Sequence, residues 1–241
     1  MQMTQWRNLL FALPIMFCTP SFANAQSLTP VDLELAFIVD ASGSIDDDEF
    51  QLQRQGYVDA LINPKVQNAI SSGFLRSIAV SYIEFSGSGC TELSVPWTRV
   101  HDLASAKDFG NRILARERLS CFGGNAVSEG MALAITSIEQ NAFEGTRRVI
   151  DISGDGPNTL GAPIEFVRDT AIANRITING LVIHRPEMPG LEDYFRSSII
   201  GGRRSFVIKA ENRQTFAAAI LKKMILEIAD NSSIDEGYLA K

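Results

Sequence analysis

Leu33-Glu34-Leu35-Ala36-Phe37-Ile38-Val39-Asp40-Ala41-Ser42-Gly43-Ser44 is the stretch that decides the fold. A nearly continuous apolar run that stops at an acid and a small-residue loop reads as a strand buried on both faces, emptying into a tight turn. A helix is expected at once after it. Ser44 is placed to cap that helix with Asp47 three residues on, while Asp46, Asp48 and Glu49 put negative charge on the first turn, where the helix dipole favours it. The helix should run to about residue 62, before Pro64. The same pattern recurs downstream, where residues 147–153 read as a buried strand that stops at Gly154-Asp155-Gly156-Pro157-Asn158.

Working outward, residues 77–85 read as a strand and residues 92–100 as a short one joined to it through Gly87-Ser88-Gly89, a hairpin at one sheet edge. Helical spacing follows over 103–116 and 128–141, the latter with Met131, Leu133, Ala134, Ile135 and Ile138 on its apolar side. A helix is expected over 163–174, a strand over 176–183, a short helix over 191–199, a strand over 205–209 and an amphipathic closing helix over 213–229. Strands that alternate with helices predict an α/β fold of three layers. Its doubly wound sheet should be mostly parallel, with one antiparallel edge strand, and ligands should bind outside the carboxyl ends of the strands. Asp40 and Asp155 both fall at such ends.

At the N-terminus, Arg7, the apolar run from residue 9 to 17 and Ala23-Asn24-Ala25 read as a cleavable export signal over residues 1–25. A membrane anchor is the competing reading, but the run is about half of the roughly 20 residues that a span requires, and Pro14 interrupts it. Lipid attachment at Cys18 is disfavoured by the bulky Ile15-Met16-Phe17 before it. One domain is expected over residues 26–230, with a loose polar tail over 231–241. Removing Arg7 from the 22 basic residues leaves 21 against 28 acidic ones, a net charge of about −7 with no long basic run. This argues against nucleic acid and anionic membrane surfaces as partners. Periplasmic residence or full secretion should follow, and there Cys90 and Cys121, the two cysteines left after cleavage, should pair; two free buried thiols are the alternative. The bridge would close a loop of about 30 residues, worth on the order of 3 kcal/mol in the chain-entropy model. With His101 and His184 isolated, no zinc-spaced ligand set exists.

In Asp40-x-Ser42-x-Ser44 three oxygen-bearing side chains alternate with small residues, so a tight loop can turn all three toward one point, as hard cations prefer. Capping of the following helix explains the same residues without a metal. Together with the strand before it, this motif resembles the metal-ion-dependent adhesion site of von Willebrand factor type A domains, and Ile152-Ser153-Gly154-Asp155-Gly156 resembles that family's second acidic loop. The likeness extends from about residue 31 to 229. It implies Ser42 and Ser44 as direct ligands of magnesium, manganese or calcium, Asp40 and Asp155 as direct or water-mediated ones, and a threonine from a middle loop. The middle loop here, Phe122-Gly123-Gly124-Asn125-Ala126-Val127-Ser128, contains no threonine. Asn125 and Ser128 are the candidate oxygens, and Ala126 stands where the family threonine is expected. The form of the second loop and the export signal further resemble an uncharacterised family of bacterial exported single-domain proteins of this type.

The resemblance implies a protein-binding module, not an enzyme, that recognises an exposed Glu or Asp of a partner completing the cation's coordination. A metal-free structural domain with a degenerate site is the strongest rival. A haloacid-dehalogenase-type phosphatase needs an acid where Ser42 stands, and no basic residue is placed by the sequence to hold a phosphate. Ser42 and Ser44 lack a Gly-x-Ser-x-Gly elbow, Gly87-Ser88-Gly89 lacks the third glycine of a dinucleotide loop, and the acidic run from Asp46 to Glu49 lacks a calcium-loop ligand pattern.

Overall fold

The computed structural model describes residues 27–119, 121 and 123–229; the expected export signal and tail lie outside the described residues. In chain order the elements are β1 (Thr29–Val31), β2 (Leu33–Asp40), α1 (Asp47–Ile62), α2 (Pro64–Ser72), β3 (Ile78–Phe85), β4 (Thr91–Val100), α3 (Leu103–Leu114), α4 (Val127–Gln140), β5 (Phe143–Gly145), β6 (Arg148–Gly154), α5 (Ile164–Ala173), β7 (Ile176–Ile183), α6 (Leu191–Tyr194), β8 (Val207–Ala210) and α7 (Arg213–Ile228). A π-helical turn, Phe195–Ile199, continues α6.

The central sheet has six strands in the order β4-β3-β2-β6-β7-β8, and every pairing but the antiparallel β3–β4 is parallel. Chain order and spatial order therefore reverse between β2 and β6, so the crevice at their carboxyl ends is where the topology opens a binding site. β4 is the antiparallel edge strand, and an edge is where a residue such as Pro96, with no N–H to give a ladder, is tolerated. A second, two-stranded parallel pairing joins β1 to β5.

Every residue of β2 is buried. Leu33, Leu35, Phe37 and Val39 face a core shared with Tyr57, Phe109 and Phe216 of α1, α3 and α7, while Ala36 and Ile38 face one shared with Met131 and Val167 of α4 and α5. A strand covered by helices on both sides has no polar face to show, which is why the run reads as continuous. Gly56 allows α1 to lie close to α7, since a Cβ there would come within 2.9 Å of Ile220 Cδ1.

Two buried ionic clusters pin helices to strands. Arg54 of α1 donates from Nε and Nη2 to Glu84 Oε1 of β3 at 2.9 and 2.7 Å and also binds the Arg116 and Glu117 carbonyls. Lys223 of α7 lies between Asp151 of β6 and Glu227, the latter at 2.6 Å. Burial, then the Asp151 charge, pushes the Glu227 carboxyl up to about 8.

Several boundaries depart from the sequence reading. Asp46, not Ser44, caps α1: its side chain accepts from Glu49 N at 2.8 Å and Glu49 reciprocates, because Ser44 is drawn into the loop contacts described below. α2 was not expected, although Pro64 at its first position and Asn63, accepting from Lys65 N, are ordinary start signals. β1 and β5, three residues each, are too short for periodicity to reveal.

Candidate metal centre

The tight turn after β2 arises because the Asp40 carboxylate accepts from the Ser42 amide two residues on, at 2.8 Å. That contact folds the loop back and directs the Ser42 and Ser44 hydroxyls to one place, 3.0 Å apart. Ser44 Oγ then donates to Asp155 Oδ1 at 2.8 Å, which ties the β2 loop to the loop after β6 across the topological reversal. Asp40, Ser42, Ser44 and Asp155 are thereby joined through direct contacts. The approach is close: a Cβ on Gly154 would stand 3.3 Å from Asp40 Oδ2.

Asn125 and Ser128 are held differently. The Asn125 side chain lies over the second acidic loop, where a Cβ on Gly156 would come within 2.3 Å of its Nδ2. Its backbone is latched to Thr159 in both directions, N–H to Oγ1 at 2.9 Å and carbonyl from Thr159 N at 2.8 Å. Ser128 donates from Oγ to the Leu160 carbonyl at 3.2 Å and from its amide to Asn158 Oδ1 at 2.9 Å. Ala126, fully buried at the start of α4, offers no oxygen.

The electrostatics favour a cation. Asp40 is fully buried, and its Oδ2 has no hydrogen-bond partner of normal geometry among the described residues. Burial, and next the negative charge of Asp155, raises the Asp40 carboxyl to about 7. Burial raises Asp155 as well, against the lowering effects of the Ser44 hydroxyl and Arg185. Two carboxyls kept from water beside one another are each stabilised as anions by a positive charge between them. Among the described residues no group of three or more His, Cys, Asp or Glu side chains is placed to hold a metal. Any ion here would therefore have two carboxylates supplemented by hydroxyls, a set that suits a hard cation of the magnesium or calcium type.

Two arginines complete the surroundings, and the sequence reading placed no basic residue here. Arg185 Nη1 stands 3.3 Å from Asp155 Oδ2. It lies two residues beyond the end of β7, so the rule that strand ends face the site is the signal that could have found it. Arg118 Nη2 donates to the carbonyls of Ser42 at 3.0 Å and Ile45 at 2.5 Å, Nη1 binds Asp47, and the guanidinium lies over the Phe50 ring. It braces the loop after β2 from behind, and nothing in its irregular segment foretold this. Three residues on, Cys121 is disulfide-bonded to Cys90. His184 makes no side-chain hydrogen bond among the described residues and lines a cavity of about 280 Å3 between α1 and α7.

Solved structures with this architecture share little sequence with the chain. Proximal thread matrix protein 1 from the mussel byssus, in a form with a zinc-occupied MIDAS motif, is 14% identical with a TM-score of 0.58, over 84% of this chain and 49% of that one. The pilus adhesin SpaC of Lactobacillus rhamnosus GG is 14% identical with a TM-score of 0.62, over 86% of this chain and 31% of that one. The SpRpn10 VWA domain is 13% identical with a TM-score of 0.59, over 82% of this chain and 98% of that one. The chain thus spans about half of the mussel protein and under a third of the adhesin. No curated protein matches its sequence. Residues 30–232 match the family described as "Protein of unknown function (DUF1194)", and with its strand order and paired acidic loops the chain belongs to that family and has the von Willebrand factor type A fold.

Proposed function

We propose that the protein is an exported interaction module that holds a divalent cation between the loops after β2 and β6 and uses it to engage a carboxylate of a partner protein. The observation that carries this reading is the hydrogen-bonded chain Ser42–Ser44–Asp155 beside the buried, unpartnered Oδ2 of Asp40. Ser42, Ser44, Asp40 and Asp155 would hold the ion, with Asn125 the nearest of the middle-loop candidates and Ser128 committed to Leu160. An ion surrounded by neutral hydroxyls and water keeps much of its charge, so a Glu or Asp side chain of a partner can replace a water. Such a site recognises and does not transform. Neither arginine is set to cradle a substrate phosphate: Arg118 is consumed by backbone carbonyls and Arg185 by Asp155 and Glu187.

Residence in the periplasm or outside the cell is supported by the disulfide, which persists in oxidising compartments. No helix among the described residues is long and apolar enough to cross a membrane. A metal-free interaction domain is favoured by one observation, Ala126 where a hydroxyl ligand is expected. Calorimetric titration of the chelator-treated protein with magnesium and manganese, beside Asp40→Ala, decides between them. The expected result is one saturable site in the wild type and none in the variant. An absence of binding in the wild type establishes the degenerate site instead.

A further inference from the structure

At the other end of the sheet, the starts of β6 and β7, the loop before β8 and the last turn of α7 enclose a cavity of about 440 Å3, within the size range of small-molecule sites. The length of β6 puts it roughly 20 Å from the candidate metal centre, at about 3.3 Å per strand residue. Five arginines line it: Arg147, Arg148, Arg175, Arg203 and Arg204. In a chain of net charge −6 this is a local reversal of sign.

The arginines divide by what they are doing. Arg147 donates to the Glu227 and Ile228 carbonyls at 2.8 Å each and so caps α7. Arg148 pairs with Glu139 at 2.7 Å and binds the Asn174 carbonyl at 2.7 Å. Arg175 and Arg203 are exposed, and among the described residues neither side chain has an ion-pair or hydrogen-bond partner. The acid in the cavity wall, Glu227, is turned inward onto Lys223 and, with its carboxyl raised to about 8, is mostly neutral at pH 7. It therefore supplies little countercharge. The rim is also held in place. Arg175 and Arg204 have left-handed backbone, φ 59° and 57°, and Gly202, at φ 90°, is pressed so close to β7 that a Cβ would meet Thr177 Cα at 2.9 Å. Non-glycine residues in that region cost about 1 kcal/mol each and persist where the surroundings over-determine them.

Guanidinium groups are permanently charged and present paired donors that match phosphate oxygens, and several around one concavity suit a doubly charged group better than a lone carboxylate. We propose that this cavity is a second binding site, independent of the metal centre, that takes the phosphate of a small phosphorylated molecule or of an anionic lipid headgroup on Arg175 and Arg203. Its size admits such a group and not a duplex.

The test is calorimetric titration of the full chain with inorganic pyrophosphate, without divalent cation, at low and at 0.15 M salt, beside Arg175→Gln/Arg203→Gln. Both residues are exposed, so the double variant should melt at the wild-type temperature and bind magnesium as the wild type does, whether or not the metal-centre reading survives. Saturable one-to-one binding that weakens with salt and falls at least tenfold in the variant is expected. Co-sedimentation with vesicles of phosphatidylglycerol in phosphatidylcholine, lost in the variant and absent with phosphatidylcholine alone, would identify the lipid as the source. Pyrophosphate binding without sedimentation would identify a soluble ligand. An absence of saturable binding to either probe, binding unchanged in the variant, or a DNA oligonucleotide that binds as tightly as pyrophosphate would overturn the proposal.

Discussion

Replacing Asp40 by asparagine separates what the carboxylate costs the fold from what it does for a cation. The folded carboxyl titrates at about 7 against 3.8 for the exposed group, because burial and the Asp155 charge disfavour its anion. With the folded value above the unfolded one, its contribution to stability is fully present below about pH 4 and is lost as pH rises to 7. At 1.36 kcal/mol per unit, a gap of about three units amounts to about 4 kcal/mol lost by pH 8. Asparagine keeps an oxygen for the Ser42 amide and carries no charge, so in chelator Asp40→Asn should be the more stable protein at pH 8, by up to about 4 kcal/mol, and the two should agree closely at pH 4. Excess magnesium at a hundredfold over its dissociation constant should then raise the wild type by about 2.7 kcal/mol and leave the variant unmoved. Urea unfolding at both pH values, with chelator and with magnesium, measures all of these. A variant less stable than wild type at pH 8 in chelator would refute the argument that Asp40 is a buried charge lacking a countercharge.

Cys90→Ser should cost about 3 kcal/mol by chemical denaturation, from the roughly 30-residue loop that the bridge closes, and leave the cation titration in place. Arg54→Leu should cost about 3–5 kcal/mol, since it strands Glu84 in the core, and Arg54→Leu/Glu84→Leu should recover much of that loss in the same assay. Arg185→Leu removes a positive charge from Asp155 and should tighten magnesium several-fold in calorimetry, an effect of about 1 kcal/mol for a partly exposed pair. An affinity unchanged by that substitution would mean that Arg185 and the ion do not share the carboxylate.

The middle of the sheet was legible because strands such as β2 and β3 are buried on both faces; β7 begins and ends where it was expected to, and the antiparallel edge follows from the short Gly87-Ser88-Gly89 link between β3 and β4. What escaped had no periodic signature. β1 and β5 are three residues long, and α2 was hidden because Pro64 was read as a stop to α1 and not as a start. At the site, Asp40, Ser42, Ser44 and Asp155 could be read from strand ends alone; the structure links Ser42, Ser44 and Asp155 through side-chain hydrogen bonds and Asp40 through the Ser42 amide. Arg118 could not, because it reaches the loop after β2 from an irregular segment tied down by the Cys90–Cys121 bridge and the Ser86 contact to the Cys121 carbonyl. Spacing along the chain carries no information about such a reach.

Arg185 also bears on why such a site would attract an acid. Asp40 and Asp155 as anions carry two negative charges, and Arg185, 3.3 Å from Asp155 and 3.8 Å from Glu187, shares its charge between those two acids, so a bound divalent ion would make the carboxyl ends of β2 and β6 more positive by two charges. That shift would favour a partner carboxylate over a partner amine. Without the ion, and with Glu49 and Glu187 beside them, the same groups keep a negative surplus, smaller by one when Asp40 takes up its proton near neutral pH. Cation occupancy would therefore shift the local charge by two units, which makes the proposed preference for an acidic partner conditional on the ion.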